Sequence, residues 1–174
     1  MQEGSTAVIF GAGSVGRGFL GQLFSESGYE VVFVDIDEPL VEALCRQGNY
    51  TLCLAGLDKV EDLTIGPVRA INGLHTERVA TEVARASLVA TAVGVRALAA
   101  IARPIAAGLA QRWEAGQTTP LHLIICENLH DAPDLLRGYV REALPDGLRP
   151  YVQERVGFVP AVIARMSPVP TPEQ

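Results

Sequence analysis

The sequence is poor in the residues that build disulfide frameworks or lysine-based active sites. Its 174 residues include 3 cysteines and 14 basic residues, and Lys59 is the single lysine among them. The cysteines, Cys45, Cys53 and Cys126, are odd in number and lack C-x-x-C spacing, which favours free thiols in a reducing compartment. We therefore expect a cytoplasmic protein. If a lysine of this chain serves as a general base, Lys59 is the one candidate.

Positive charge and long apolar runs are also scarce. The formal net charge is −6 and the sequence pI is about 5.0, which disfavours binding to a phosphate backbone, so no nucleic-acid partner is predicted. The apolar stretch 97–110 is interrupted by Arg103 and Pro104, and no basic segment precedes the apolar run 7–10, so neither a membrane span nor a signal peptide is predicted. His122, Cys126 and His130 match no compact ligand pattern, and no metal is predicted.

What is present is a regular alternation of apolar strands and amphipathic helices. Strands are predicted at 7–10, 31–34, 87–91 and 121–126, and helices at 15–27, 38–47, 77–85 and 95–114, the last broken or kinked at Pro104. Short strands at 50–54 and 63–65 form a small β excursion; helices at 134–143 and 148–155 and a strand at 157–159 follow. The pattern predicts an α/β fold, a Rossmann-type doubly wound, mainly parallel sheet over residues 1–166. Residues 167–174, with proline at alternate positions, are predicted to be an extended connector.

The most informative motif is a glycine-rich turn between the first strand and the first helix, Gly11-Ala12-Gly13-Ser14-Val15-Gly16. In a dinucleotide-binding turn the first glycine permits the tight turn, the second lets the backbone approach a pyrophosphate, and the third lets the helix pack on the strand. The helix N-terminus then offers N–H groups to the phosphates. Arg17 follows at once and is expected near the phosphates or at a domain interface. An ordinary structural turn is the alternative.

An acidic residue, Asp35, ends the second strand 19 positions after Gly16. A carboxylate there accepts hydrogen bonds from the adenosine ribose hydroxyls. With Asp37 and Glu38 nearby, a 2′-phosphate would be repelled, so NAD is predicted as the cofactor in preference to NADP. The alternative is that Asp35 only caps the following helix.

Two further segments lie at the carboxyl ends of predicted strands, where open α/β sheets bind ligands. Thr91, Ala92, Val93 and Gly94 form a βα loop of small residues that is predicted to approach the nicotinamide. Glu127 and Asn128 follow the strand 121–126; Glu127 is predicted to bind cofactor. The amide of Asn128 is predicted to donate a hydrogen bond to a developing oxyanion, with a turn-forming asparagine as the alternative.

The motifs together resemble those of the polyol-specific long-chain dehydrogenases. The matching blocks occur in the family's order and cover nearly the whole chain, at 10–19, 27–29, 32–35, 65–68, 91–94, 125–128 and 156–158. The resemblance implies reversible, metal-free hydride transfer between NAD(H) and mannitol 1-phosphate, giving fructose 6-phosphate. It also implies that the residues Gly11 to Gly18, Asp35 and the loop 91–94 bind the cofactor, and that Asn128 stabilises the reacting oxygen.

The resemblance further implies that the catalytic lysine, with its partner asparagine and histidine, belongs to a C-terminal helical domain that normally follows and is absent from this chain. Lys59 lacks such partners, so the chain alone is expected to be inactive. Some positions depart from the family pattern: Ser14 replaces asparagine, and Pro160, Ala161 and Ala164 replace polar or acidic residues near Arg165. Two alternatives stay open: a stand-alone NAD(H)-binding module without catalysis, and a dehydrogenase of a related polyol or uronate.

Overall fold

The computed structural model describes residues 4–56 and 59–165, arranged as alternating strands and helices. The strands are β1 (Thr6–Phe10), β2 (Glu30–Asp35), β3 (Tyr50–Ala55), β4 (Val60–Ile65), β5 (Val68–Asn72), β6 (Leu88–Thr91), β7 (Leu121–Ile125) and β8 (Val156–Pro160). The helices are α1 (Gln22–Glu26), α2 (Glu38–Gln47), α3 (Thr76–Arg85), α4 (Leu98–Glu114), α5 (Ala132–Ala143) and α6 (Arg149–Arg155). A π-helical segment, Gly16–Gly21, leads into α1, and 3-10 turns at Val95–Ala97 and Asp146–Leu148 precede α4 and α6.

Six strands form one parallel sheet in the order β5-β2-β1-β6-β7-β8. This is the doubly wound order, in which the chain moves outward from β1 in one direction and then returns to continue from β1 in the other. The strands β3 and β4 form a separate antiparallel hairpin, with Tyr50 opposite Ile65. The predicted Rossmann-type sheet and the small β excursion are both confirmed.

Each face of the sheet is covered by its own hydrophobic core. In β1, Val8 and Phe10 point into a core shared with α3, α4 and α5, whereas Ala7 and Ile9 point into a core shared with α1, α2 and the hairpin. All four side chains are fully buried, as period-2 alternation in a central strand requires when both faces are covered. In the described part of the chain, no helix has both the length and the apolar character needed to cross a bilayer.

The structure corrects the sequence interpretation at three elements. The strand β5 was not expected, because Arg69, its second residue, interrupts the apolar pattern; the charge is accommodated by ion pairs to Glu30 at 2.8 Å and Glu82 at 2.7 Å. Of the break or kink predicted at Pro104, the break is wrong: α4 is continuous from Leu98 to Glu114 through this proline. The carbonyl that loses its partner to this proline belongs to exposed Ala100, where water can solvate it.

The third correction concerns the first helix, which was expected as one α-helix over 15–27 and instead starts with the π-helical segment. The predicted connector, 167–174, lies outside the described residues.

Arg112 is a buried cation at the end of α4. The residue is 3% exposed, and its Nη1 donates hydrogen bonds to the carbonyls of Ala84 at 2.8 Å and Ala86 at 2.9 Å. Nη2 donates to the carbonyl of Thr119 at 3.2 Å. Because Ala84 lies in the last turn of α3, the positive charge also faces the negative end of that helix's dipole. Arg112 therefore joins α3, α4 and the connection that leads into β7.

Candidate cofactor site

The carboxyl ends of the central strands bring the predicted site segments to one edge of the sheet. A cleft of about 530 Å³ opens there, between the turn after β1, the end of β2 and the loop after β6. It is lined by Phe10, Gly11, Gly13, Val34, Asp35, Ile36, Gly73, Leu74, Thr76, Ala92, Val93, Ala97, Ala100, Ile101 and Pro104. The glycine turn, Asp35 and the loop 92–93, which are far apart in the sequence, thus share one cavity.

Each glycine of the turn meets a different steric requirement. Gly11 has a φ of +95°, and a Cβ there would overlap the carbonyl oxygen of Ala92. A Cβ on Gly16 would overlap the carbonyl oxygen of Gly11, so this glycine lets the helix pack against the turn. A Cβ on Gly13, by contrast, would have no atom of the described residues within 4 Å. The first and third glycines serve internal packing, and the second leaves backbone open to the cleft.

The carboxylate of Asp35 is joined to the glycine turn. Its Oδ2 accepts a hydrogen bond from the backbone N–H of Ala12 at 2.6 Å, and its Oδ1 accepts one from the N–H of Asp37 at 3.1 Å. The N-cap of α2 is Asp37, whose side chain accepts from the N–H of Leu40. Helix capping thus belongs to Asp37, and Asp35 is held at the rim of the cleft.

Two apolar side chains that sequence reasoning missed flank Asp35. Ile36 is 73% exposed and Leu74 is 74% exposed, although both are large and apolar and both line the cleft. Leu74 is held by buried Asn72, whose Oδ1 accepts from the Leu74 N–H at 2.9 Å and whose amide donates to Glu38. The available signal was an apolar residue one position after the end of β2 and two positions after the end of β5.

Arg17 and Tyr50 fix the start of the helix that follows the turn. The Nε of Arg17 donates to the carbonyl of Ala12 at 2.6 Å, so the guanidinium lies against the turn. The hydroxyl of Tyr50, from the hairpin, donates to the carbonyl of Arg17 at 2.6 Å. Burial raises the pKa of Tyr50, an effect that the positive charge of Arg17 partly opposes. A Cβ on Gly21 would overlap the Tyr50 hydroxyl, so the glycine admits this contact.

The other predicted cofactor residues occupy different environments. Ala12 is fully buried and Val15 is half-buried against the core under α1 and α2, while Ser14 is half-buried at the beginning of the helix. Thr91 is fully buried, and its hydroxyl has no hydrogen-bond partner within 4–56 and 59–165. Direct cofactor contact by these four side chains stays a prediction.

Glu127 and Asn128 follow β7 at the same edge of the sheet. Glu127 is 8% exposed, and its two carboxylate oxygens accept hydrogen bonds from the N–H groups of Val93 at 3.0 Å and Gly94 at 2.8 Å. Asn128 is exposed. Burial, together with the adjacent Glu127 charge, raises the pKa of Cys126 to about 11.

The segment after β8 returns to the helix beyond the glycine turn. Arg165 donates from Nη1 to Oε1 of buried Gln22 at 2.6 Å and to the carbonyl of Gly18 at 3.3 Å. Its guanidinium lies 4.9 Å from the ring centroid of Phe19. Arg165 thus has an amide oxygen, a backbone carbonyl and an aromatic face as partners.

Comparison with known proteins places this dinucleotide-binding type of α/β domain in a specific family. A family model described as the mannitol dehydrogenase Rossmann domain matches residues 5–173. The chain belongs to this family.

The chain is similar to mannitol-1-phosphate 5-dehydrogenases at the level of sequence. It is 43% identical over 164 residues to that of Geobacillus thermodenitrificans (strain NG80-2), covering 93% of this chain and 42% of the relative. It is 42% identical over 163 residues to that of Brevibacillus brevis, covering 94% of this chain and 42% of the relative. The chain therefore spans less than half the length of these relatives.

Among solved structures, the fold is similar to Pseudomonas fluorescens mannitol 2-dehydrogenase, solved as a ternary complex with NAD and D-mannitol. The TM-score is 0.73 at 15% identity, over 90% of this chain and 41% of that one. A conserved hypothetical protein from Sinorhizobium meliloti gives a TM-score of 0.56 at 17% identity, over 93% of this chain and 42% of that one. At these identities the likeness supports the fold.

Proposed function

We propose that this chain is the NAD(H)-binding domain of a dehydrogenase that interconverts mannitol 1-phosphate and fructose 6-phosphate. The observation that carries the proposal is the position of the Asp35 carboxylate, hydrogen-bonded to Ala12 of the glycine turn and facing a cleft of dinucleotide-binding type. The substrate is taken from the relatives, which are named mannitol-1-phosphate 5-dehydrogenases.

The cleft offers groups suited to each part of NAD. Exposed Ile36 and Leu74 provide apolar surface for the adenine, and Asp35 offers carboxylate oxygens to the ribose hydroxyls. The open backbone at Gly13, beside the helix N-terminus, suits the pyrophosphate. When bound, NAD supplies the hydride acceptor for alcohol oxidation. The chain's residues bind and orient it.

The nicotinamide side of the proposed site is formed by the loop after β6 and by Asn128. Ala92 and Val93 line the cleft, and Asn128 stands exposed at the neighbouring strand end. A side-chain amide N–H there can donate to an oxygen that gains negative charge as the substrate carbonyl is reduced. We assign Asn128 this stabilising role.

Proton transfer is proposed to belong to a part of the relatives that this chain does not match. Lys59, the single lysine, is 76% exposed near the hairpin turn and pairs with Glu61 at 2.8 Å. It does not line the cleft. Polyol oxidation is therefore expected to require further residues, and we expect no turnover by these 174 residues alone. The free thiols of Cys45, Cys53 and Cys126 support the proposal of a cytoplasmic location.

The proposal is tested by calorimetric titration of the purified chain with NADH and then NADPH. We expect NADH to bind with a Kd on the order of micromolar and NADPH to bind at least about tenfold more weakly, because its 2′-phosphate faces Asp35. Asp35→Ser should reduce this preference by about tenfold, because hydroxyl contacts to a carboxylate contribute about 1.5–3 kcal/mol.

Asp62→Ser provides a matched control, since Asp62 is exposed on the hairpin. This variant should bind both nucleotides as the unchanged chain does. Equal binding of NADH and NADPH by the unchanged chain would contradict the role of Asp35, and binding of neither would contradict the cofactor assignment itself.

A further inference from the structure

Glu127 is a buried carboxylate whose partners are backbone N–H groups of another segment. Its oxygens accept from Val93 at 3.0 Å and from Gly94 at 2.8 Å, 34 and 33 positions earlier in the chain. The ion pairs of the described residues do not include Glu127. Because a buried charge needs compensation, the two N–H groups are the interactions that hold it in place.

These two hydrogen bonds determine the course of the loop between β6 and α4. The loop begins at Ala92, whose N–H donates to the carbonyl of Phe10 at 2.8 Å, and it ends at Gly94, which has a φ of +82°. Between these points, the N–H groups of Val93 and Gly94 both turn toward Glu127. Without the carboxylate, two donors at the edge of the cleft would lose a charge-assisted bond.

The backbone of Glu127 also supports the turn that carries Asn128. Its carbonyl accepts from the N–H of Leu129 at 2.8 Å, which closes a short turn around Asn128. The side chain and the main chain of one residue therefore contact both segments on the nicotinamide side of the proposed site.

We propose that Glu127 is a positioning residue that holds the cleft-lining loop 92–94 and Asn128 in a fixed relation. In this role it acts through the two segments, in place of the direct cofactor contact expected from the sequence. The inference rests on the proposed function for its link to the nicotinamide. The adenosine half of the cleft, around Asp35, has no contact with Glu127 among the described hydrogen bonds.

The test compares NADH with ADP-ribose, a probe that lacks the nicotinamide, in the purified chain and in Glu127→Gln. The glutamine keeps the size of the side chain but turns an NH₂ group toward one of the two N–H donors. We expect NADH binding to weaken about tenfold, while the Kd of ADP-ribose changes by less than about twofold. Glu142→Gln, an exposed change on α5, is the matched control and should alter neither Kd.

Amide hydrogen exchange of Val93 and Gly94 gives a readout that needs no ligand. Both amides should be protected in the unchanged chain and should exchange faster in Glu127→Gln. If that variant does not fold, Glu127→Asp, which keeps the charge but withdraws the carboxylate by one methylene, gives the same comparison.

The outcomes separate the inference from the function on which it rests. Equal weakening of NADH and ADP-ribose, or no weakening of NADH, would overturn the positioning role. If the unchanged chain binds neither probe, the proposed function fails. Loss of amide protection at Val93 and Gly94 in the variant would still support the contact between Glu127 and the loop. Unchanged protection would overturn that contact.

Discussion

Replacing Arg112 with methionine should destabilise the domain markedly, although Arg112 lies outside the cleft. Arg112 is 3% exposed, and its guanidinium donates three hydrogen bonds to backbone carbonyls, those of Ala84, Ala86 and Thr119. Methionine keeps most of the aliphatic length but has no donor. Three carbonyls of the α3 end and of the connection into β7 would then lose their charged partner.

The expected magnitude follows from these contacts. Three hydrogen bonds to a charged group, at about 1.5 kcal/mol each, sum to about 4–5 kcal/mol. Removing the guanidinium also relieves the cost of burying a charge, including an Nε without a partner in the described residues, and this offsets about half of the loss. We expect a decrease in the free energy of unfolding of about 2–3 kcal/mol, or about 4–12 °C in Tm for a domain of this size.

Urea unfolding followed by circular dichroism measures the effect. Arg103→Met, an exposed change on the same helix, is the matched control and should shift the free energy of unfolding by less than about 0.5 kcal/mol. A loss below about 1 kcal/mol for Arg112→Met, or equal losses for the two variants, would refute the argument that three carbonyls depend on this cation.

Two further substitutions and one alkylation experiment test the glycine turn, the start of the first helix and the thiols. Gly13→Val should leave the unfolding midpoint unchanged but weaken NADH binding at least about tenfold, because a branched side chain enters space that only a ligand needs; a large loss of stability would contradict this. Tyr50→Phe should cost about 1 kcal/mol by removing the hydrogen bond to the carbonyl of Arg17, as measured by urea unfolding; no change would refute it. Iodoacetamide at pH 8 should alkylate exposed Cys45 well before Cys126, whose pKa of about 11 leaves about one thiol in a thousand ionised; equal rates by mass spectrometry would contradict this.

The fold was predictable where a short stretch of sequence contains the whole apolar pattern that a buried strand requires. Val31–Val34 was predicted as a buried strand because both of its faces are apolar, and Leu121–Ile125 because four of its five residues are apolar. The order of strands and helices then leaves the parallel doubly wound sheet. The strand β5 was not predicted, because Arg69 interrupts its apolar pattern. Its compensation comes from Glu30 and Glu82, on other elements, which a local window cannot include.

The residues of the candidate site also separate into those that a short stretch of sequence identifies and those that it does not. The glycine turn and Asp35 were expected at one edge of the sheet, and they line one cleft. Ile36 and Leu74 were not singled out, because an apolar residue after a strand is common and only the adjacency of β2 and β5 places these two beside each other. Likewise, the sequence placed Glu127 near the cofactor but contained no information on where its carboxylate points.

The glycine turn itself shows why a local motif is incomplete evidence. Gly11 is required by its φ of +95° and also by Ala92, a residue of another strand end, whose carbonyl oxygen occupies the space of a Cβ. Ala92 in turn donates its N–H to Phe10, and the two residues that follow it are held by Glu127. The backbone at the floor of the cleft is therefore one set of contacts built from β1, β6 and β7. The φ of +95° at Gly11 would favour glycine in a tight turn with or without a nearby β6 loop, so the motif indicates a dinucleotide site only when the neighbouring strand ends complete it.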